Sequence, residues 1–184
     1  MGDLDHGDGA AGADALRIGT IETPGLSLVP LVVEHADEMA VVLGDPALHV
    51  FTGGAPHSPQ ALRARYERLV AGSPDPAVKW WNWVIRLRGD ARLAGTVQAT
   101  LTPAGQGWAA EVAWVVGTPW QGRGIAGEAA RGLVAWLRAH GVRAVRAHIH
   151  PGHHASAAVA AGAGLAPTGQ VHEGEVRWEL PAAR

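Results

Sequence analysis

The sequence predicts an α+β domain in which a mixed, mostly antiparallel sheet carries helices on both faces. Short apolar runs with strand-like alternation outnumber helix-like runs, and three of them follow one another as a meander in the middle of the chain. A strand–helix–strand succession comes next. Meander strands pair antiparallel, whereas a helical crossover makes its two strands parallel, so the sheet has to be mixed.

Composition narrows the classes of protein. A chain of 184 residues that is 47% hydrophobic suits one domain with a sizeable core. The net charge of −2 gives no electrostatic case for nucleic acid, and the lack of cysteine excludes disulfides and cysteine-based zinc sites. No run approaches the roughly 20 apolar residues of a membrane span. We therefore expect a cytoplasmic protein that binds neither nucleic acid nor membrane.

The composition of the N-terminal residues predicts where the folded domain begins. Residues 1–20 are acidic and rich in glycine and alanine, without the basic start and apolar core of a signal peptide. We expect them to form a disordered leader. Residues 21–184 would then form the folded domain.

The first half of the domain is predicted to hold one strand and two helices. Residues 26–33 alternate as a strand, and residues 34–44 read as a helix that ends at glycine. The segment DPALHVFTGG is expected to be a short helical turn and loop. Ser58 before Pro59 is typical of a helix start, and this second helix is expected to run to about Val70.

The second half is predicted to hold most of the sheet. The meander strands are 80–88, 91–101 and 108–116, with turns at Gly89-Asp90 and PAGQG. The remaining elements are a helix at 127–141 ended by glycine, a strand at 142–150, a helix at 153–164 and final strands around 168–172 and 175–180. The predicted order is therefore β-α-α-β-β-β-α-β-α-β-β.

The stretch VVGTPWQGRGIAGEAA, residues 115–130, joins the third meander strand to a helix. Its glycines let the backbone approach a ligand closely, and a helix N-terminus offers free N–H groups and the positive end of the helix dipole. These properties favour a phosphate site. A tight strand-to-helix turn that needs glycine for its own geometry explains the same residues, and both interpretations remain open at this point.

The ordered set of segments resembles the GNAT superfamily of acyltransferases. Q-G-R-G-I-A is similar to the family's Q/R-x-x-G-x-G/A pattern, and P-G-H-H-A-S-A-A-V-A-A-G-A-G-L to its P-x-N-x-A-S-x-x-V-A-x-x-x-G-F/L segment. The start, ETPGLSLVPLVVEHADEM, resembles the T-P-R-L-x-L-x-P-L opening of the branch that includes ribosomal-protein N-terminal acetyltransferases. The resemblance covers about residues 22–180. It implies the GNAT fold, with two central parallel strands that splay apart.

The resemblance also implies that acetyl-CoA lies where the strands 108–116 and 142–149 diverge. The pantetheine arm would pair with the backbone of one strand, and the diphosphate would lie on the loop amides. His153 stands where the family often has an Asn that contacts the CoA arm, and Arg123 is expected either at a phosphate or ribose or in solvent. The implied cosubstrate-binding residues are Trp114, Val115, Val116, Gln121, Gly122, Arg123, Gly124, Ile125, Ala126, Gly127, His153 and Ser156.

Direct attack of an amine on the thioester needs a group that accepts the amine proton. Glu111 is the candidate, and its strand parity places its side chain on the face opposite to that of Trp114. A solvent-facing structural carboxylate is the alternative. Many family members protonate the leaving thiolate with a tyrosine, but the matching position here is Ala160 and the only tyrosine is Tyr66. Ser156 is the candidate donor, with a helix-start side chain bonded to the backbone as the alternative.

Three further features carry open alternatives. His148 and His150 share a strand face at a spacing that a metal would accept, although acetyl transfer needs no metal and none is expected. His150 or His154 is instead an alternative base. Tryptophans 80, 81 and 83 are expected in the core. The alternative is that they form an aromatic wall that binds the acceptor. Residues 51–59 are either an acceptor loop or a connector.

These observations lead to an expected function. We expect an N-acetyltransferase that uses acetyl-CoA and a small-molecule amine, because no acidic groove for basic peptides is visible in the sequence. The alternatives are an N-terminal protein acetyltransferase and a non-catalytic CoA-binding protein of the same fold. A homodimer is left open.

Overall fold

The computed structural model describes residues 17–181. Eight strands form one sheet in the order β1-β2-β3-β4-β5-β6-β8-β7. The strands are β1 Ile21–Glu22, β2 Leu26–Pro30, β3 Lys79–Leu87, β4 Leu93–Ala104, β5 Gly107–Val116, β6 Val142–Ile149, β7 Ala166–His172 and β8 Glu175–Glu179. The helices are α1 Ala36–Val42, α2 Pro59–Ala71, α3 Ile125–Ala139 and α4 His154–Gly162, with short 3₁₀ helices at Val33–His35, Pro46–His49 and Thr118–Trp120.

The predicted fold class is confirmed. All neighbouring strands pair antiparallel except β5 and β6, which the crossover through α3 makes parallel. Helices α1 and α2 contact β4 and β3, and α3 and α4 contact β5 and β6. The α3 side holds the aromatic core, in which Trp81, Trp83 and Trp136 meet edge to face. None of the described helices has the length and hydrophobicity that a membrane span requires.

Local sequence explains where the helices begin. The Ser58 hydroxyl accepts a hydrogen bond from the N–H of Ala61, and Pro59 takes the first helical position, as predicted. Helix α3 begins two residues earlier than expected because Gly124 already acts as its N-cap. Leu133 and Leu137 of α3 are fully buried, which confirms its predicted apolar face.

Three predictions at strand boundaries need correction. The first predicted strand ends at Pro30, since the chain turns into a 3₁₀ helix at Val33. Strand β4 begins at Leu93 and not at Ala91, because Ala91 adopts a left-handed φ of 58° in the turn. The short β1 was not predicted at all.

The boundary of the predicted leader at residue 20 lies too late. Ile18 packs against the core, and the Gly19 carbonyl accepts a hydrogen bond from the buried Trp83 indole at 2.8 Å. The folded domain therefore includes these residues. The rest of the leader prediction, residues 1–16, lies outside the described part of the chain.

Candidate functional site

Strands β5 and β6 diverge in the middle of the sheet. Their parallel pairing covers Trp108 to Glu111 on β5, and the last pair is Glu111 with Arg146. From Arg146 onward β6 pairs with β8, while β5 continues to Val116 alongside β4. The edge of β5 beyond Glu111 therefore faces a cleft, where an extended ligand can lie beside it as an added strand would.

The glycine-rich loop closes one end of this cleft. Gly122 and Gly124 adopt left-handed φ values of 71° and 76°, which glycine reaches without steric cost. The first intrahelical bond of α3 runs from the Glu128 N–H to the Gly124 carbonyl. The N–H groups of Ile125, Ala126 and Gly127 thus have no partner within the helix. Glycine is needed for the turn, and the same turn presents free amides, so the two interpretations of the sequence are compatible.

A cavity of about 570 Å³ lies between the open edge of β5, the loop and α4. It brings together the residues that the sequence assigned to a cosubstrate, with the exception of the exposed Arg123. Its lining from that set consists of Trp114, Val115, Val116, Gln121, Gly122, Gly124, Ile125, Ala126, Gly127, His153 and Ser156. An elongated ligand with an anionic group near the helix N-terminus suits this shape and electrostatics.

Two side chains stabilise the loop. Gln121 donates from Nε2 to the Val116 carbonyl at 3.0 Å, so it joins the end of β5 to the loop. The Glu128 carboxylate accepts from the Thr23 hydroxyl at 2.6 Å and from the Gly25 N–H at 2.7 Å. Burial acts to raise the pKa of Glu128, but these hydrogen bonds and the Arg131 guanidinium outweigh it and lower that pKa. The Glu128 carboxylate, in the first turn of α3, is therefore hydrogen-bonded to the β1–β2 turn.

Ser156 meets an imidazole and not the backbone. Its Oγ lies 3.4 Å from His153 Nε2, within hydrogen-bonding distance. The His153 ring stacks on Phe51, with centroids 4.3 Å apart and planes at 12°. Burial and the neighbouring His150 lower the pKa of His153, which keeps the imidazole neutral near pH 7. A neutral imidazole can exchange a hydrogen bond with the hydroxyl in either direction.

A smaller cavity of about 100 Å³ adjoins the first one at the point where the strands part. The two cavities share Phe51, Trp114, His153 and Ser156 in their linings. The smaller cavity also touches His148 of β6. It therefore leads from the cosubstrate-sized cavity through the sheet toward the other face.

Glu111 belongs to the last β5–β6 pair, and its side chain projects to that other face. Its Oε1 is 3.4 Å from His148 Nδ1, and 60% of its side-chain surface is exposed, against 20% for His148. Trp114 lines the large cavity, so the expected difference in parity holds. Glu111 does not line the large cavity. A group that extends from this cavity to Glu111 has to pass through the gap between β5 and β6.

The structure also places the other candidates. Tyr66 lies buried in α2, on the sheet face away from the large cavity, where burial raises the pKa of its phenol to about 12. Trp81 and Trp83 belong to the core, as expected, while Trp80 is half-buried on the α2 side. Within residues 17–181 no three side chains of histidine, aspartate or glutamate come together as metal ligands.

Some cavity residues were not found from the sequence. Six further residues complete the apolar lining: Ala47, Leu48, Phe51, Trp120, Ala155 and Val159. Phe51 is the one phenylalanine of the chain and precedes a Gly-Gly pair, which is a signal that could have identified it. The 51–59 segment thus contributes to the large cavity through its first residue. The proximity of His148 to Glu111 had no signal, since it depends on the register of two strands.

The chain matches known proteins by family and by fold. A family model described as "Acetyltransferase (GNAT) domain" matches residues 26–166. No curated protein matches the sequence at a significant level. Among solved structures, a ribosomal-protein-S5-alanine acetyltransferase from Vibrio fischeri is similar with a TM-score of 0.72 and 17% identity, covering 87% of this chain and 94% of that one.

Two other solved structures are about as similar. A GNAT-family acetyltransferase from Bacillus anthracis has a TM-score of 0.70 at 14% identity, covering 87% of this chain and 95% of that one. The microcin C7 self-immunity acetyltransferase MccE, solved with acetyl-CoA and AMP, has a TM-score of 0.70 at 14% identity, covering 85% and 92%. At identities this low, the structural similarity establishes a common fold and no more.

Proposed function

Because the chain belongs to the GNAT acetyltransferase family, we propose that it transfers an acetyl group from acetyl-CoA to the primary amine of a small molecule. The observation that carries this proposal is the cavity between the diverging β5 and β6, which ends at the glycine-rich N-terminus of α3. The open edge of β5 and the free amides at the start of α3 support coenzyme A as its ligand.

Acetyl-CoA is proposed to bind along this cavity. The amides of residues 122–127 would hold the diphosphate, and the backbone of Trp114, Val115 and Val116 would pair with the pantetheine arm. The bonds from Thr23 and Gly25 direct the Glu128 carboxylate toward the β1–β2 turn, which limits its repulsion of the phosphates. Gln121 and Arg123 would complete the rim. The thioester would then lie beside the small cavity, whose volume of about 100 Å³ favours a short acyl group.

The proposed reaction is direct attack of the amine nitrogen on the thioester carbonyl. The new C–N bond forms as the C–S bond breaks, the amine loses one proton, and CoA leaves as a thiolate that takes up a proton. Glu111 is the proposed acceptor of the amine proton, directly or through a water molecule. Its support is its position where the strands part, with His148 within 3.4 Å to hold its orientation.

Ser156 is the proposed proton donor to the thiolate. It lines both cavities and is joined to His153, whose neutral imidazole can exchange a proton with the hydroxyl. Tyr66 is not available for this role, since it is a buried residue of α2 and does not line the large cavity. The interaction of Ser156 with His153 therefore replaces the tyrosine expected from the family.

The acceptor is proposed to reach Glu111 from the α2 side of the sheet. An N-terminal protein acetyltransferase is the second candidate, favoured by the likeness to the Vibrio fischeri enzyme. A non-catalytic CoA-binding protein is the third, because the tyrosine is missing. The arginine-lined pocket between α2 and the strands β3 and β4 favours a small acidic amine over a basic peptide.

An amine panel with detection of free CoA thiol tests the proposal, together with calorimetric titration of CoA. Thiol release with small amines above that with N-terminal peptides would support it. Release only with peptides would establish the second candidate, and CoA binding without release from any amine would establish the third. No CoA binding at all would overturn the site itself.

A further inference from the structure

A second pocket of about 310 Å³ lies on the acceptor side of the sheet, between α2 and the strands β3 and β4. Its polar lining comes from three elements, each of which contributes two side chains. These are Arg65 and Arg68 of α2, Trp80 and Asn82 of β3, and Gln98 and Thr100 of β4. Neither the cosubstrate cavity nor the proposed proton transfer uses any of them.

The charge of this pocket has one sign. Arg65 and Arg68 stand three positions apart on α2, so their guanidinium groups project from the same side of the helix. The lining contains no carboxylate, and among residues 17–181 neither arginine forms a salt bridge. By contrast, Arg63 of the same helix is paired with Asp37 at 2.8 Å. Two guanidinium groups that form no salt bridge in the described part of the chain, in a lining without a carboxylate, favour a carboxylate or a phosphate as ligand.

The pocket and Glu111 share one face of the sheet. Trp80 pairs with Thr100, and Thr100 pairs with Glu111, in two successive antiparallel registers. Residues directly opposite in such pairs project to the same face. Glu111 is therefore two strand spacings from Trp80, or about 10 Å. One molecule of modest length can reach both places.

We propose that the acceptor carries an anionic group, a carboxylate or a phosphate, which Arg65 and Arg68 bind while its amine lies at Glu111. The inference rests on the proposed function, whose acceptor it specifies. The amides of Asn82 and Gln98 add hydrogen-bond donors to the same anion, and the half-buried Trp80 ring supports the chain between the two ends. This arrangement selects acidic amines and disfavours polycationic ones.

Steady-state kinetics test the selection on matched acceptors. The probes are ω-amino carboxylates and aminoalkyl phosphates of increasing length, each compared with the primary amine that lacks the anion. We expect kcat/KM at least tenfold higher for the anionic member of the best pair, and the preferred anion identifies its chemical source. In R65Q/R68Q this preference should disappear, because KM for the anionic amine rises toward that of the neutral amine. R63Q removes the same charge from the same helix outside the pocket and should keep the preference.

Anion binding without turnover separates this inference from the proposed function. The ¹⁵N-labelled full chain, saturated with CoA, is titrated with inorganic phosphate and with glutarate. We expect saturable shifts of the Trp80 indole signal and of the Arg65 and Arg68 Nε–H signals. The R63Q variant should show the same shifts, whereas the Trp80 indole of R65Q/R68Q should no longer shift. No shift with either anion, or equal shifts in R65Q/R68Q, would overturn the subsite even in an active enzyme. Shifts without acetylation of any amine would support the subsite and contradict the proposed function.

Thermal unfolding shows whether the double variant is folded. If it is not, the single variants R65Q and R68Q are measured instead.

Discussion

The hydroxyl of Thr23 donates a 2.6 Å hydrogen bond to the carboxylate of Glu128, a residue 105 positions later in the chain. The contact joins the β1–β2 turn to the first turn of α3, the helix whose N-terminus closes the large cavity. Gly25 adds its N–H to the same carboxylate, and a Cβ at Gly25 would lie only 3.2 Å from Glu128 Oε2. The first turn of the domain thus helps to orient the proposed diphosphate site.

Glu128→Gln should lower stability in a pH-dependent way. The lowered pKa of Glu128, below its ordinary 4.5, means that the folded state binds the proton less tightly than the unfolded state. Its contribution is therefore present above the unfolded pKa and is lost as pH falls through the folded pKa. We expect the variant to be about 1 kcal/mol less stable at pH 7, since a charged acceptor becomes a neutral one.

Chemical denaturation of both proteins across the acidic range measures this difference. The gap between wild type and Glu128→Gln should close toward the lowest pH at which both remain folded. A gap that stays constant with pH would show that the charge of Glu128 contributes nothing.

Gly124→Glu should abolish CoA binding without unfolding the protein. The side chain would place a carboxylate at the proposed anion site, and the left-handed φ of 76° adds a strain of about 1–2 kcal/mol. Gly141→Glu is the matched control, because Gly141 has a φ of 81° and lies exposed beyond the other end of α3. Calorimetric titration should show normal CoA affinity in the control. Normal affinity in Gly124→Glu as well would exclude the loop as the diphosphate site.

Local signals carried most of what the sequence predicted correctly. Ser58 and Pro59 specify a helix start through a cap and a fixed φ, and Gly122 and Gly124 specify a turn through their own backbone freedom. These properties depend on a few neighbouring residues. For the same reason the glycine-rich loop was predicted as a candidate anion site before its cavity was visible.

Relations between distant segments could not be predicted in this way. The two-residue β1 has too short a pattern to recognise, and it exists through its pairing with β2. The contact of Glu111 with His148 requires the β5–β6 register, which includes a shift between Trp108 and Ala109. No periodicity in the sequence reports such a shift, so the contact of Glu111 with His148 became visible only in the assembled sheet.

Glu111→Gln should depress turnover far more than acetyl-CoA affinity. The amide keeps the size of the side chain but cannot accept the amine proton, so kcat should fall by about 10²–10⁴-fold. CoA affinity should be unchanged, because Glu111 lies outside the lining of the large cavity. Glu34→Gln, at an exposed carboxylate that lines none of the three cavities described above, serves as the control. A fully active Glu111→Gln would remove this residue from the mechanism.

Ser156→Ala should slow the release of CoA thiol while leaving the acceptor KM unchanged. The variant loses the hydroxyl that lies 3.4 Å from His153 Nε2 and lines both cavities. We expect a decrease in kcat of about 10²-fold for an acetyl-CoA thioester. A thioester with a more acidic thiol needs less protonation, so it should react almost equally with both proteins. Equal loss with both thioesters would assign Ser156 to binding and not to proton transfer.

Tyr66→Phe should leave the protein as stable as the wild type or about 1 kcal/mol more stable at neutral pH. In the described part of the chain the buried Tyr66 hydroxyl has no hydrogen-bond partner, and an unpaired buried hydroxyl is costly. The pKa of about 12 adds a signature at high pH, because only the unfolded state readily loses the phenol proton. The wild type should therefore lose stability relative to Tyr66→Phe as pH rises from about 10 toward 12. Denaturation of both proteins in that range measures the effect. A variant that is more than 1 kcal/mol less stable at pH 7 would instead reveal a partner for the hydroxyl, such as a buried water molecule.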